Sequence, residues 1–146
     1  MPEFKKVASA SPVPSKYKNK ITKRVGDTGP MWSTFHKGTD FAVPEGTPIY
    51  AAHGGTVVHS SNDGGKEGLY VSVDWLGADG MMRDIYFHLS RADAKVGKRV
   101  RTGDTLGLSG KTGNTDGPHL HFQIQSGQGV ERKFYVPAIN EQAANA

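Results

Sequence analysis

Between Pro48 and Gln125 apolar and polar residues take turns over short stretches, and glycine separates the stretches. PIYAA (48–52), GTVVHS (55–60), LYVSVDW (69–75), RDIYFHL (83–89), DTLGLSG (104–110) and HLHFQIQ (119–125) each have the length and composition of a β-strand. The alternation is clearest at 69–75. There Leu69, Val71, Val73 and Trp75 share one side and Tyr70, Ser72 and Asp74 the other, as a half-buried strand requires. Helix signals are scarce: a turn or two around Ser90–Lys95, with Ser90 as the cap and Asp93 at the third helical position. The pattern predicts an all-β fold of short strands and Gly-rich turns, an antiparallel sheet forming a sandwich or open barrel with little helix.

Two ends fall outside this pattern. Residues 1–20 are rich in Ser, Pro, Ala and Lys without periodicity and read as a basic, flexible arm. Residues 138–146 are small and polar and read as a fraying tail, which leaves 21–137 as the single domain. Within it EGTPIYAAHGGTV (45–57) and VGKRVRTGDTLG (96–107) echo each other, each with a Gly followed after two residues by an aliphatic. Such half-repeats also occur in carrier and phosphocarrier barrels.

Composition narrows the chemistry. With 146 residues there is room for one compact domain. No stretch approaches the ~18 apolar residues of a membrane helix, so no stable membrane insertion is expected. The first residues, MPEFKKVASASPVPS, carry no apolar signal-peptide core. There is no cysteine, so disulfides, thiolate metal sites and cysteine nucleophiles are excluded, and any metal must be held by His, Asp or Glu. The net charge of +4 is uneven: residues 1–24 carry seven bases against Glu3, and the remainder is slightly acidic. Such an arm could attract an anionic surface, but the plainer reading is a solvated tail, and no nucleic-acid partner is expected.

Six histidines supply the candidate chemistry: His36, His53, His59, His88, His119 and His121. On a strand, His119 and His121 face the same side while Leu120 and Phe122 face the other. Two imidazoles on one face suit a divalent metal, or a ligand beside a base. His36 and Asp40, in His36-Lys37-Gly38-Thr39-Asp40, lie in a loop entering a strand, and Gly38 permits the tight path that would bring both onto one ion. Together with His121 they make two imidazoles and one carboxylate, the three-ligand pattern of a catalytic zinc with an open fourth position. His88 ends a strand and, beside a metal, becomes a candidate general acid/base. His53 and His59 have no such partners in the sequence and receive no role.

In FHKGTDFAVPEGTPIYA, YFHLS and VGKRVRTGDTLGLSGKTGNTDGPHLHF the chain resembles the lysostaphin/LytM-type peptidoglycan zinc endopeptidases, over roughly residues 21–136. The resemblance implies a small antiparallel sheet whose strands floor a groove walled by loops such as 25–35, 61–68 and 111–117. It implies one zinc ion per chain on His36, Asp40 and His121, with His88 and His119 as the catalytic pair. The implied substrates are peptides of bacterial peptidoglycan, cross-links or stem peptides, cut by a monomeric enzyme acting at the cell wall. Relatives commonly carry Glu where this chain has Gln123, a change expected to affect packing or groove polarity and not to abolish activity. A single-domain, signal-less chain fits a phage endolysin, cytosolic until release. Rival readings are a non-catalytic peptidoglycan-binding or hydrolase-activating module, against which all five residues stand, and a phosphocarrier barrel, which would not need Asp40.

Overall fold

The computed structural model describes residues 4–29 and 35–139. Part of the 25–35 loop and most of the 138–146 tail therefore lie outside the described residues. The described residues form eleven strands: β1 (Lys6–Ser9), β2 (Ile21–Lys23), β3 (Thr39–Phe41), β4 (Pro48–Tyr50), β5 (Gly55–Asn62), β6 (Leu69–Gly77), β7 (Gly80–Ala92), β8 (Arg99–Val100), β9 (Thr105–Ser109), β10 (Leu120–Ser126) and β11 (Lys133–Ile139). Antiparallel pairing runs β10–β7–β6–β5–β8, and β10 holds both β3 and β11 on its other edge. Each of the six strands read from the sequence is present, and the described residues include two 3-10 turns and no α-helix.

The expected helix at Ser90–Lys95 is not formed. Strand β7 runs on to Ala92, its last residues pair with β9, and Ser90 donates its hydroxyl to the Ser109 carbonyl instead of capping a turn. Arg91 and Asp93 close a side-chain fork there.

The half-repeat has a structural counterpart. Strand β4 of the first copy pairs with β9 of the second, and β5 of the first with β8 of the second. Gly46 and Gly97 take the same left-handed conformation (φ 86° and 92°) at equivalent turns. Three residues after each comes a core aliphatic, Ile49 and Val100.

One face of β7 and β10 makes the core. Met82 and Tyr86 of β7 meet Leu120, Phe122 and Ile124 of β10, with Val71, Val73, Phe41, Ile49 and Leu106 packed around them. Full burial of such side chains contributes about 1.5–3 kcal/mol each. Because side chains alternate, the opposite face of the same strands presents Phe87 beside His121 and Ile85 beside Gln123. The core thus fixes the floor of the site.

The N-terminal segment differs from the expected flexible arm. Strand β1 pairs in parallel with β11, an exception to the antiparallel pattern, and Ala10 and Val13 are buried. His53, which has no role among the expected site residues, ties this segment down. Its Nδ1 donates to the fully buried Asp84 carboxylate (2.6 Å) and its Nε2 to the Ala8 carbonyl (2.7 Å), while its ring stacks on Trp75. Trp75 Nε1 donates to the other Asp84 oxygen. Burial opposes charge on His53, but the hydrogen bond and charge of Asp84 outweigh it and raise its pKa.

A raised folded-state pKa contributes stability that is complete below the ordinary imidazole value, 6.5, and is lost as pH climbs through the folded value. Asp84→Ala, which strands the imidazolium, is expected to cost about 3–5 kcal/mol in urea unfolding at pH 6. The advantage of wild type over His53→Gln should shrink from pH 6 to pH 9. A pH-independent advantage would remove the ion pair from the account.

Candidate metal and active site

Three chain segments converge on the polar face of the sheet. Strand β3 pairs with β10 so that Asp40 lies directly across from His121. His121 Nδ1 stands 2.8 Å from Asp40 Oδ1, and His36 Nε2 stands 3.3 Å from Asp40 Oδ2. One donor atom from each of His36, Asp40 and His121 falls within 4.8 Å of the others. Asp40 and His121 are buried. Burial pushes the Asp40 carboxyl up, but the hydrogen bonds and charges of His121 and His36 prevail and hold it well below the usual carboxylate range.

Gly38 makes the approach of this loop possible. A Cβ there would fall 2.6 Å from His121 Nε2 and 2.7 Å from the Phe122 carbonyl oxygen, closer than packing allows. His36 is set by paired backbone bonds, its N–H to the Asp27 carbonyl and its own carbonyl to the Gly26 N–H.

His88 reaches the site through an irregularity that alternation does not predict. In the β6–β7 pairing Val71 faces Tyr86 and Leu69 faces Leu89, so Phe87 and His88 together oppose Tyr70. This is a β-bulge, and His88 takes φ 67°, the only non-glycine residue with positive φ among the described residues. Such a conformation costs on the order of 1–3 kcal/mol. The bulge sets His88 beside Phe87, with His119 4.8 Å away between ring centroids. Its N–H donates to the Glu67 carbonyl and its Nδ1 to the Thr112 carbonyl (2.8 Å).

Thr112 joins the two loops behind this contact. Its hydroxyl donates to the Leu89 carbonyl and accepts from the Leu69 N–H. Gly68 lets the loops touch, since a Cβ there would lie 2.4 Å from the Thr112 carbonyl carbon.

A common arrangement governs all four histidines. Each has one nitrogen tied to an acceptor outside the cluster: His36 Nδ1 to the Arg24 carbonyl (3.3 Å), His88 Nδ1 to the Thr112 carbonyl, His119 Nδ1 to the Gly117 carbonyl and Thr115 hydroxyl (3.0 Å each), and His121 Nε2 to Gln123 Oε1 (2.9 Å). Those bonds orient each ring and turn its other nitrogen toward the cluster. His119 Nε2 is 3.8 Å from Asp40 Oδ2. For His88, burial is the largest influence, and it lowers the pKa and favours the neutral imidazole.

The five residues line one open groove of about 640 Å³. Thr22 and Lys23 of β2, Lys66, and residues 114–118 border it. Two of the three expected loop walls, 61–68 and 111–117, are thus represented, and β2 contributes a wall that the sequence pattern did not indicate. Sequence reasoning also missed Thr112 and the acceptor role of Gln123. His59 lies apart, stacked on Tyr70 and bonded to Asp63.

The donor set of two oriented imidazoles and one carboxylate fits zinc or a similar divalent ion, with room for further ligands from the groove. Comparison with known proteins agrees with this chemistry. The model of "Peptidase family M23" matches residues 34–133. Peptidoglycan DD-endopeptidase ShyA of Vibrio cholerae is 42% identical over 104 residues, which cover 71% of this chain and 21% of that protein. Lysostaphin of Staphylococcus simulans is 41% identical over 90 residues, 60% of this chain and 17% of its own length. The chain thus spans about a fifth of the length of these relatives.

Among solved structures, the catalytic domain of lysostaphin superposes with a TM-score of 0.70 at 31% identity, covering 82% of this chain and 89% of that one. The catalytic domain of the prophage-encoded M23 protein EnpA from Enterococcus faecalis gives 0.71 at 30% identity, covering 87% and 93%. Motifs, sheet and groove agree with these matches, and the chain belongs to peptidase family M23.

Proposed function

We propose that this chain is a zinc-dependent endopeptidase that hydrolyses peptide bonds in the cross-links or stem peptides of bacterial peptidoglycan. The observation that carries the reading is the convergence of His36, Asp40 and His121 beside His88 and His119 in one open groove. In this reading the first three residues hold the ion and the last two handle protons. When bound, zinc supplies Lewis-acid polarisation of a scissile carbonyl and acidifies a water molecule.

The chain's own groups do the rest. His88, held neutral by burial and with Nδ1 anchored on Thr112, offers Nε2 as a proton acceptor. His119, anchored through Nδ1 on Thr115 and Gly117, presents Nε2 to the same space. Once a proton has been taken up at Nε2, it can donate to the oxygen on which charge develops or to the leaving amine. Phe87, packed against His121 at 4.4 Å between centroids, shields that ligand. Asp40 keeps its charge because two imidazoles face it, so it is a ready anionic ligand at neutral pH.

Zymography on purified bacterial cell walls tests the proposal. Clearing should appear with the intact protein, disappear with a zinc chelator and return on adding zinc. Clearing that survives exhaustive chelation, or walls left intact by zinc-loaded protein, would overturn it. The second outcome would favour a non-catalytic wall-binding or hydrolase-activating module.

A further inference from the structure

The groove face of β10 carries a feature that the five-residue set does not use. His121, Gln123 and Gln125 follow one another at two-residue spacing and are all buried. Gln123 Oε1 lies 2.9 Å from His121 Nε2, and Gln123 Nε2 donates to Gln125 Oε1 at 2.7 Å. An amide has one accepting end and one donating end. Once its NH₂ is committed to Gln125, its oxygen must face His121. There it accepts the Nε2–H and turns Nδ1, 2.8 Å from Asp40 Oδ1, toward the ion position.

We propose that Gln123 and Gln125 form a neutral positioning relay that fixes the His121 tautomer and holds Nδ1 ready for the metal. The relay rests on the reading of His121 as a ligand. It also sets the electronic character of the site. A carboxylate at position 123 would pull on the imidazole proton and make His121 a stronger donor, whereas an amide orients the ring without adding negative charge. With Asp40 as its single anion, the site keeps more of the ion's positive charge for a substrate carbonyl.

The test measures zinc dissociation constants by chelator competition, with thermal melting of each metal-free protein as the folding control. Gln123→Leu is expected to weaken zinc binding 10–100-fold. Gln125→Leu should weaken it by a smaller factor, because Gln123 is then free to turn. Gln125→Glu still accepts from the Gln123 NH₂ and should restore affinity to within about twofold of wild type. Gln123→Glu should bind zinc more tightly.

Wild-type affinity in Gln123→Leu, equal losses in both Gln125 variants, or a wild-type protein that binds no zinc would each overturn the relay. The ¹⁵N shifts of His121 in metal-free protein add a readout independent of catalysis: loss of the Nε2–H form in Gln123→Leu is expected, and its persistence counts against the relay. A protein that binds zinc in the expected order yet leaves cell walls intact would sink the endopeptidase reading alone.

Discussion

Asp40→Ala is expected to abolish wall hydrolysis, by at least about 10³-fold, and to leave less than a tenth of the wild-type zinc after dialysis. Asp40 is the common neighbour of the cluster, with His121 at 2.8 Å, His36 at 3.3 Å and His119 at 3.8 Å. Its removal takes away the one anion of the ligand set and the charge that faces three imidazoles. Several kcal/mol of metal affinity go with it, and each 1.4 kcal/mol is tenfold in occupancy. The metal-free fold should survive, because Asp40 lies on the short strand β3, across from His121, and not among the apolar residues of the core. Zinc per chain by elemental analysis, with circular dichroism as the folding control, checks this. A folded Asp40→Ala protein that keeps one zinc would remove Asp40 from the ligand set.

Features set by the local strand period are legible in the sequence, and those set by distant partners are not. His119 and His121 share a face because strands have a two-residue period, and that period is written in HLHFQIQ itself. The six alternating strands were legible for the same reason. Strand β3 was not: Thr39-Asp40-Phe41 is three residues long and gains its place by pairing with β2 on one side and with the sequence-distant β10 on the other. Strand β1 is more extreme, since its basic, weakly apolar Lys6–Ser9 gains its place from β11 at the far end of the chain.

His88 shows a different limit. Strict alternation puts Phe87 and His88 on opposite faces, and only the bulge opposite Tyr70 brings them together. Histidine is enriched among non-glycine residues with left-handed backbone, but such residues are too rare for the enrichment to mark position 88. The signals that could have been read are the glycines of the supporting loops, Gly68 and Gly113, whose close contact fits no larger residue. Gln123 stands out in the sequence only as a departure from a family pattern, with packing or groove polarity as the expected consequence. Its bond to His121 makes it part of the site.

His88→Ala is expected to behave oppositely to Asp40→Ala in one respect: zinc remains and cleavage is lost. His88 contributes no atom to the three-residue cluster, so removing its ring leaves those donor atoms in place. What goes is the Nε2 lone pair beside His119, which general acid–base catalysis values at about 10²–10⁴-fold in rate. Alanine at 88 also inherits a φ of 67°, which its Cβ tolerates poorly, so melting temperature must be measured beside activity. His88→Asn serves as the second variant, because asparagine accepts this backbone conformation more readily than alanine but cannot take up a proton.

If His88 works as a base, the acid limb of kcat/KM in wild type reflects its protonation. That limb should then lie below the ordinary imidazole value, because burial lowers the pKa of His88 and activity fails as pH falls through it. Full zinc occupancy with a ≥10²-fold loss in both variants fits the assignment. Near wild-type turnover in a folded His88→Asn would leave His119 to carry the proton chemistry alone.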